Sequence, residues 1–236
     1  MYKKVVGLAL AITLFVLAGR FYMGYRYYDK YRAVRKEARS IQGNFLEMEN
    51  CLLKAIRFSA NPAFYEELGR LNLERALAEN DFGTAEKRDA YLDKSLATLG
   101  TLLRRNPGNA AACYEMGKAY LLYNYPLLTY QEKSRLLFRK TLELKPADEF
   151  FNLNIIYTFF VQWDSLQEAE KTFALKQLRR METNDPKFLN KLGARWQEGG
   201  GSQEKLERLL RGSAVSDKKD RMAFRINIPD IRRDFE

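Results

Sequence analysis

The stretch NPGNAAACYEMGKAY, residues 106–120, carries the pattern that best indicates the fold of the chain. Proline is favoured at the first turn of a helix, where its missing N–H group would have no helical partner, so Pro107 can open a helix. Gly117 has no side chain to hold a second helix away. Tyr120, three residues later, supplies a ring that fills the space beside such a contact. The stretch therefore predicts the first helix of a closely packed helical hairpin.

Related prolines recur at a nearly constant spacing. They stand in the dipeptides Asn61-Pro62, Asn106-Pro107, Lys145-Pro146 and Asp185-Pro186, and successive prolines are 45, 39 and 40 residues apart. Each is followed by an amphipathic stretch with a small residue or Asn on its inner face, in the pairs Leu68-Gly69, Met116-Gly117, Leu153-Asn154 and Leu192-Gly193. One helical pair cannot bury its own apolar face, so this repetition indicates stacked pairs.

The second helix of the clearest repeat is predicted from Glu132 to Leu144. Ser134 and Thr141 are its small residues, Phe138 is its aromatic residue, and Pro146 follows its end. In the next repeat Ala169 and Phe173 take the second-helix positions and Tyr157 a first-helix position, and Trp196 belongs to the first helix of the fourth repeat. Each repeat is thus expected to be a helical hairpin.

These residues resemble the tetratricopeptide repeat (TPR) family over about Asn61 to Gln197. Met116-Gly117 and Tyr120 stand where the family has Leu-Gly and Tyr. The repeats are longer than the family's ~34 residues, with extra residues at 80–85, at 124–130 and before Pro186. The resemblance implies a TPR-like helical-hairpin solenoid. Together with the apolar N-terminal segment described below, it predicts an all-α fold in which an N-terminal transmembrane helix is followed by this solenoid.

In tetratricopeptide arrays the first helices line a concave groove that binds a protein or peptide partner. The resemblance places these residues in the partner groove: Glu66, Arg70, Tyr114, Lys118, Phe151, Ile155, Asn190 and Ala194. The set holds two cations and two aromatic rings with little acid, so it suits a peptide with an acidic residue beside an apolar anchor. It does not reproduce the Lys/Asn/Arg clamp with which some family members hold C-terminal carboxylates.

The composition excludes several chemistries. The chain has no histidine, which rules out histidine-based triads, histidine general bases and histidine metal ligands. Cys51 and Cys113 form no CxxC pair, so no zinc or redox motif is present. The net charge is +10, but the basic residues are mixed with acidic ones and no nucleic-acid-binding motif accompanies them. We therefore expect no catalytic residue, cofactor, metal or nucleic-acid partner, and a protein that is not an enzyme.

An uncharged apolar run extends from Val5 to Gly19, preceded by Lys3 and Lys4. A membrane-spanning helix needs ~20 residues, and the aromatic residues up to position 25 complete that length because the side chain of Arg20 can reach the headgroups. Residues 1–25 are accordingly predicted to be a single-pass anchor in an inner (cytoplasmic) membrane. A cleaved signal sequence is the alternative, since Val16-Leu17-Ala18 is an acceptable cleavage site.

The charges around this run favour one orientation. The cations that follow it are Arg20, Arg26, Lys30, Arg32, Arg35, Lys36 and Arg39, against two acids, Asp29 and Glu37. Because positive charge near a span tends to stay in the cytoplasm, a cytoplasmic soluble domain is favoured over a periplasmic one.

Residues 26–60 are predicted to be a juxtamembrane amphipathic helix, within a helical pattern that extends from Tyr25 to Phe58. Its apolar stripe follows a heptad-like spacing: Tyr31, Val34, Ala38, Ile41, Phe45, Met48, Leu52 and Ala55. The stripe either self-associates with a second copy through residues 31–55 or packs on the next helices. Packing is favoured because Ala38, Gly43 and Ala55 make a poor zipper.

The predicted domain organisation is an anchor (1–25), the juxtamembrane helix (26–60), TPR-like repeats (61–197), a linker and capping helix (198–212), and a charged tail (213–236). The tail alternates apolar and polar residues around Phe224 to Ile228, and it either folds back on the protein or docks on a partner.

Together these features predict a membrane-anchored scaffold or adaptor that mediates protein–protein interactions, in envelope assembly or secretion. The alternative is a regulatory subunit of a membrane-bound enzyme or protease complex.

Overall fold

The computed structural model describes residues 2–38, 41–123 and 131–214, and over these residues the chain is helical with no β-strand. The predicted all-α class is therefore confirmed. The described helices are α1 (Tyr2–Glu37), α2 (Ile41–Phe58), α3 (Pro62–Phe82), α4 (Ala85–Arg105), α5 (Ala110–Leu122), α6 (Gln131–Leu144), α7 (Glu149–Val161), α8 (Glu168–Asn184), α9 (Phe188–Glu198) and α10 (Gln203–Ala214), with a 3₁₀ turn at Trp163–Ser165. The predicted insertion at 124–130 and the tail from residue 215 lie outside the described residues.

The chain divides into two compact units, Met1–Leu144 and Lys145–Glu236. The boundary lies inside the stretch predicted to be one repeat array, 61–197. The predicted juxtamembrane segment, 26–60, belongs to the first unit together with α3 to α6.

The first unit consists of three helical pairs, α1/α2, α3/α4 and α5/α6. The helix α2 also packs on α3, and α5 packs on both α4 and α3. Apolar side chains fill the space between them, with Leu73 and Leu92 fully buried beside Ala119 in one cluster. Each pair therefore buries the apolar face of its neighbour.

The starts of α3, α5 and α7 carry capping side chains, whereas most of the repeated prolines lie before the helix starts. At α3 the prediction holds, since Pro62 occupies the first turn and the side chain of Asn61 accepts a hydrogen bond from the Ala63 amide. Pro107 does not open a helix, because α5 begins at Ala110, where Asn109 caps the amide of Ala112. Pro146 and Pro186 likewise precede the starts of α7 and α9. An N-cap oxygen satisfies an otherwise unpaired amide, worth about 1 kcal/mol.

The helical pattern from Tyr25 to Phe58 is not one helix. The apolar N-terminal helix α1 continues to Glu37, and α2 begins at Ile41 and pairs with it. Phe45, Met48 and Leu52 of the predicted stripe are buried against α3 in a cluster that includes Leu68 and Leu71. This is the packing alternative, and a second copy could reach these side chains only if the helices separated.

The first half of α1 extends away from the packed helices. Among the described residues, α1 is the one helix long and apolar enough to cross a membrane, with a mean hydropathy of 2.0 in its most apolar window and 0% of that window buried. The part of the chain that the structure describes therefore contains one candidate membrane span, at the N-terminal end.

The second unit is described from Lys145 to residue 214 and has a separate core. Ile156, Phe160, Leu178 and Trp196 pack together in it, joined by Leu206 of α10. Helix α10 begins at Gln203, where the sequence predicts a capping helix, and it supplies apolar contacts to α9.

The predicted register of the α7/α8 repeat is wrong. Asn154 is only partly buried and its amide donates to the Phe150 carbonyl of its own helix at 2.8 Å. On α8, Ala169 is exposed and Phe173 partly exposed, whereas Ala174, Leu178 and Met181 are buried. The inner faces of both helices therefore differ from the predicted ones.

Candidate partner-binding surface

Two glycines position the first helices of the pairs α3/α4 and α5/α6. A Cβ at Gly69 would lie 2.5 Å from the Leu99 side chain, and a Cβ at Gly117 would lie 2.6 Å from Phe138. Such distances are shorter than real contacts, so both positions require glycine if the helices are to keep their spacing.

Serines on the second helices complete both contacts. The hydroxyl of Ser95 donates to the Gly69 carbonyl at 2.8 Å, and the hydroxyl of Ser134 donates to the Gly117 carbonyl at 2.7 Å. In each pair the residue four positions after the serine, Leu99 or Phe138, lies against the glycine. The two hairpins thus share one interhelical contact, made of a glycine, a serine and a large apolar side chain.

The predicted groove residue Arg70 is bound to acidic residues of its own helix. Its guanidinium donates to both carboxylate oxygens of Glu67, and Arg70 Nε lies 4.0 Å from Glu74 Oε1. Burial alone would lower the pKa of the Arg70 guanidinium, but the Glu67 carboxylate outweighs burial and raises it. Arg70 is therefore held as a cation within the protein.

The same cluster reaches α1. The hydroxyl of Tyr31 donates to Glu67 Oε2 at 2.8 Å, and Arg35 donates to the Tyr31 hydroxyl at 2.7 Å and to Glu74 at 2.6 Å. Sequence reasoning placed none of these partners in the site. The pairing of α1 with α3 joins residues 36 to 39 positions apart, which no local spacing reveals.

The predicted residues of α5 form a second, similar cluster. Lys118 Nζ lies 2.9 Å from Glu115 Oε2 and 5.3 Å above the Tyr114 ring. The Tyr114 side chain is only 7% exposed and packs beside Phe138. Glu66 joins the helices by accepting a hydrogen bond from Asn109, the cap of α5, at 3.3 Å.

The two clusters repeat one arrangement. Glu67 and Glu115 each lie two residues before the contact glycine, and Arg70 and Lys118 each lie one residue after it. A spacing of three residues brings the acid and the cation together on one helix face. That spacing was visible in the sequence, and it shows that each predicted groove cation has an internal carboxylate partner. We call these four residues, with Glu66, the α3–α5 surface.

The remaining predicted groove residues belong to the second unit. Ile155 is fully buried, so the prediction that it lines a groove is wrong; its side chain lies on the inner face of α7. Phe151 is partly buried, and Asn190 and Ala194 are exposed. The cation of this region that sequence reasoning missed is Lys191, which lies 2.8 Å from Glu149 and 2.9 Å from Asp185.

The cysteine thiols are positioned as core residues. Cys51 and Cys113 are both free and buried, and burial raises the pKa of each thiol. A raised pKa suppresses the reactive thiolate. Within the described ranges, no group of three or more His, Cys, Asp or Glu side chains is placed to hold a metal ion.

No protein-family model matches the chain, and a search of curated proteins finds no match.

Proposed function

We propose that this chain is a membrane-anchored, TPR-like scaffold that binds another protein through the α3–α5 surface. The observation that carries the proposal is the duplication in the first unit: two hairpins repeat the glycine–serine contact and present the same acid–cation pair on their first helices. A repeated contact with a repeated surface is the design of helical-repeat proteins that recognise other proteins.

The chemistry of the surface favours a partner with charges of both signs. The side chains of Arg70 and Lys118 are 37% and 34% exposed, yet each has an acidic partner within the chain. A purely acidic peptide would have to compete with Glu67 and Glu115 for these cations. A partner that offers a carboxylate to the cation and a cation to the released glutamate keeps every charge paired.

Residues 5–25 of α1 are proposed to be a single-pass anchor in the inner membrane, with the helical units in the cytoplasm. Support comes from the exposure of this apolar segment and from the excess of cations after it. A fluorescent protein fused after Glu236 should be fluorescent and an alkaline phosphatase fused there should be inactive. An active phosphatase would show that the helical units lie in the periplasm. The proposed role would then be envelope assembly on that side of the membrane.

Site-specific photo-crosslinking in cells tests the binding surface. A photoreactive amino acid replaces either Glu66 or Lys118 on the α3–α5 surface. In the controls it replaces either Lys87 or Lys140, which are exposed on the second helices. We expect the same discrete adduct from both surface positions and none from the two control positions. Adducts that are equally abundant at all four positions, or absent at Glu66 and Lys118, would contradict the proposal.

A further inference from the structure

The pairing of α1 with α2 brings the end of α2 beside the end of the apolar segment. Arg20 donates to the backbone carbonyl of Arg57 at 3.4 Å. Gly24 is packed so closely on α2 and the turn after it that an added Cβ would lie 2.8 Å from Ser59 Cβ. Tyr25 contacts the next turn, since its hydroxyl accepts a hydrogen bond from Asn61 at 2.8 Å.

The level of this contact along α1 follows from helix geometry. Residues 5–22 are the exposed part of α1, and at 1.5 Å per residue 18 residues span ~27 Å. The hydrocarbon core of a bilayer is ~30 Å thick. Arg20 therefore lies in the last turn of the span, and Arg57, which it touches, lies at the same level.

The charges collected at this end are of one sign. Residues 20–28 and 53–63 together contain four cations, Arg20, Arg26, Lys54 and Arg57, and no acidic residue. All four are exposed. Aromatic rings lie among them: Tyr22 is 67% exposed, Phe58 stacks on Tyr27 at 5.7 Å, and Lys54 Nζ lies 5.5 Å from the Tyr27 ring. Aromatic rings and basic side chains are the groups that favour a bilayer interface.

We propose that the surface formed by Arg20, Arg26, Lys54 and Arg57, which we call the basic end, binds the headgroups of anionic lipids. The turn between α2 and α3 then lies on the membrane surface beside the anchor, so the first unit stands on the bilayer at two points. This inference rests on the proposed membrane anchor. It extends that proposal by making the lipid headgroup a binding partner of a segment more than thirty residues away from the span in sequence.

The opposite end of the first unit provides an internal reference. The helix α3 starts at the basic end, because Tyr25 packs on Phe64 at 5.5 Å. Its 21 residues extend ~31 Å, so the start of α4, where Lys87 lies, is far from the bilayer. Ala60 and Lys87 are both exposed and mark the two ends.

The experiment uses the full chain reconstituted in phosphatidylcholine vesicles with a minor fraction of phosphatidylglycerol. A fluorophore is attached to a cysteine introduced by Ala60→Cys or Lys87→Cys; the native chain, whose cysteines are buried, gives the labelling background. The quencher is a nitroxide close to the headgroup, carried either by phosphatidylglycerol or by phosphatidylcholine. Resistance to alkaline extraction establishes separately that the chain is inserted.

We expect the label at position 60 to be quenched strongly and the label at position 87 weakly. At position 60 the phosphatidylglycerol quencher should be more effective than the phosphatidylcholine quencher. The variant K54Q/R57Q should lose most of this preference, since a cation near an anionic surface favours binding by roughly fivefold. The variant K87Q/K140Q, which changes the net charge equally at exposed positions, should keep it.

Two results would overturn the inference while leaving the anchor intact: equal quenching at positions 60 and 87 in an inserted chain, or no preference for phosphatidylglycerol in the native sequence. A preference that survives K54Q/R57Q would also reject the basic end as its source. A chain that does not insert would instead reject the proposed anchor.

Discussion

The pairs α5/α6 and α7/α8 come from consecutive repeats in the sequence, yet they are built differently. In α5/α6 a glycine lies against Phe138 and accepts a hydrogen bond from Ser134. In α7/α8 the corresponding Asn154 bonds to its own helix, and the corresponding Ala169 is exposed. Equivalent positions in a repeat pattern are therefore not equivalent in packing.

The difference follows from the apolar content of the first helices. The helix α5 carries Glu115 and Lys118 three residues apart, so its sequence distinguishes a charged side from an apolar one. The helix α7, with the sequence EFFNLNIIYTFFV, is apolar around most of its circumference and has no charge after Glu149. Its sequence permits several inner faces, and only contacts with other helices select one.

The largest expected difference in stability is between alanine variants of the aromatic residues on the second helices of the two pairs. Phe138→Ala removes a side chain that is 1% exposed and should destabilise the fold by about 3–5 kcal/mol. Phe173→Ala, at the position predicted to be equivalent, should cost less than half as much because that ring is partly exposed. Denaturant unfolding of the full chain in detergent, followed by circular dichroism, measures both. Equal losses would mean that the two positions are equivalent after all.

Glycine substitution should give the next largest difference. In Gly117→Ala the new methyl group would lie 2.6 Å from the Phe138 ring, and such overpacking typically costs about 1–3 kcal/mol. Gly100→Ala, inside α4 with only the end of the Arg104 side chain within 4 Å, should instead stabilise by about 0.5–1 kcal/mol.

Asn154→Ala serves as the comparison in the second unit and should be close to neutral. Melting temperatures of the three variants test this order. An unchanged melting temperature for Gly117→Ala would show that the α5/α6 contact is looser than described.

Loss of the serine hydroxyl should have a smaller effect. Ser95→Ala and Ser134→Ala each remove a buried hydrogen bond to a glycine carbonyl and should cost about 0.5–1.5 kcal/mol. Similar losses of stability for the two variants would support the shared glycine–serine contact. A loss confined to Ser134→Ala would mean that only the α5/α6 pair is stabilised by this contact. Ala169→Ser, at the exposed counterpart on α8, should change stability very little.

The smallest expected effect concerns acidic residues. In the first unit Glu67 and Glu115 have cationic partners. In the second unit, burial of Glu182 on α8 raises the pKa of its carboxyl above the ordinary 4.5, and Arg179 opposes this shift. The folded state therefore holds this proton more tightly than the unfolded state, and ionisation of Glu182 lowers stability as the pH rises through the raised pKa. Glu182→Gln should be more stable than the native chain at neutral pH and equal to it below about pH 4.

Tryptophan fluorescence reports this effect, because both tryptophans, Trp163 and Trp196, lie in the second unit. Glu204→Gln is the control; its partner Arg208 is exposed, and surface ion pairs contribute little. A gain from Glu182→Gln that is the same at every pH would point to an effect other than ionisation.

Much of the α5/α6 hairpin could be predicted from its sequence. Gly117, Ser134, Phe138 and Thr141 are all buried as expected. On α6 the 3.6-residue period places Ser134, Phe138 and Thr141 on one face, and Gly117 was identifiable as the glycine of the Met-Gly pair. The acid–cation pairs also follow a local rule, since each glutamate lies three residues before its cation.

The sequence by itself determined the all-α class, the apolar N-terminal helix and the small residues of the clearest hairpin. All of these depend on composition or on spacings within one helix. Only the tertiary structure decided that α1 and α2 are separate helices, that Tyr31 and Arg35 join α3, and that Ile155 faces inward. The reason is physical: an apolar stripe records that a face is buried but not which helix covers it. The side chains that meet across two helices are chosen by packing between residues distant in the chain.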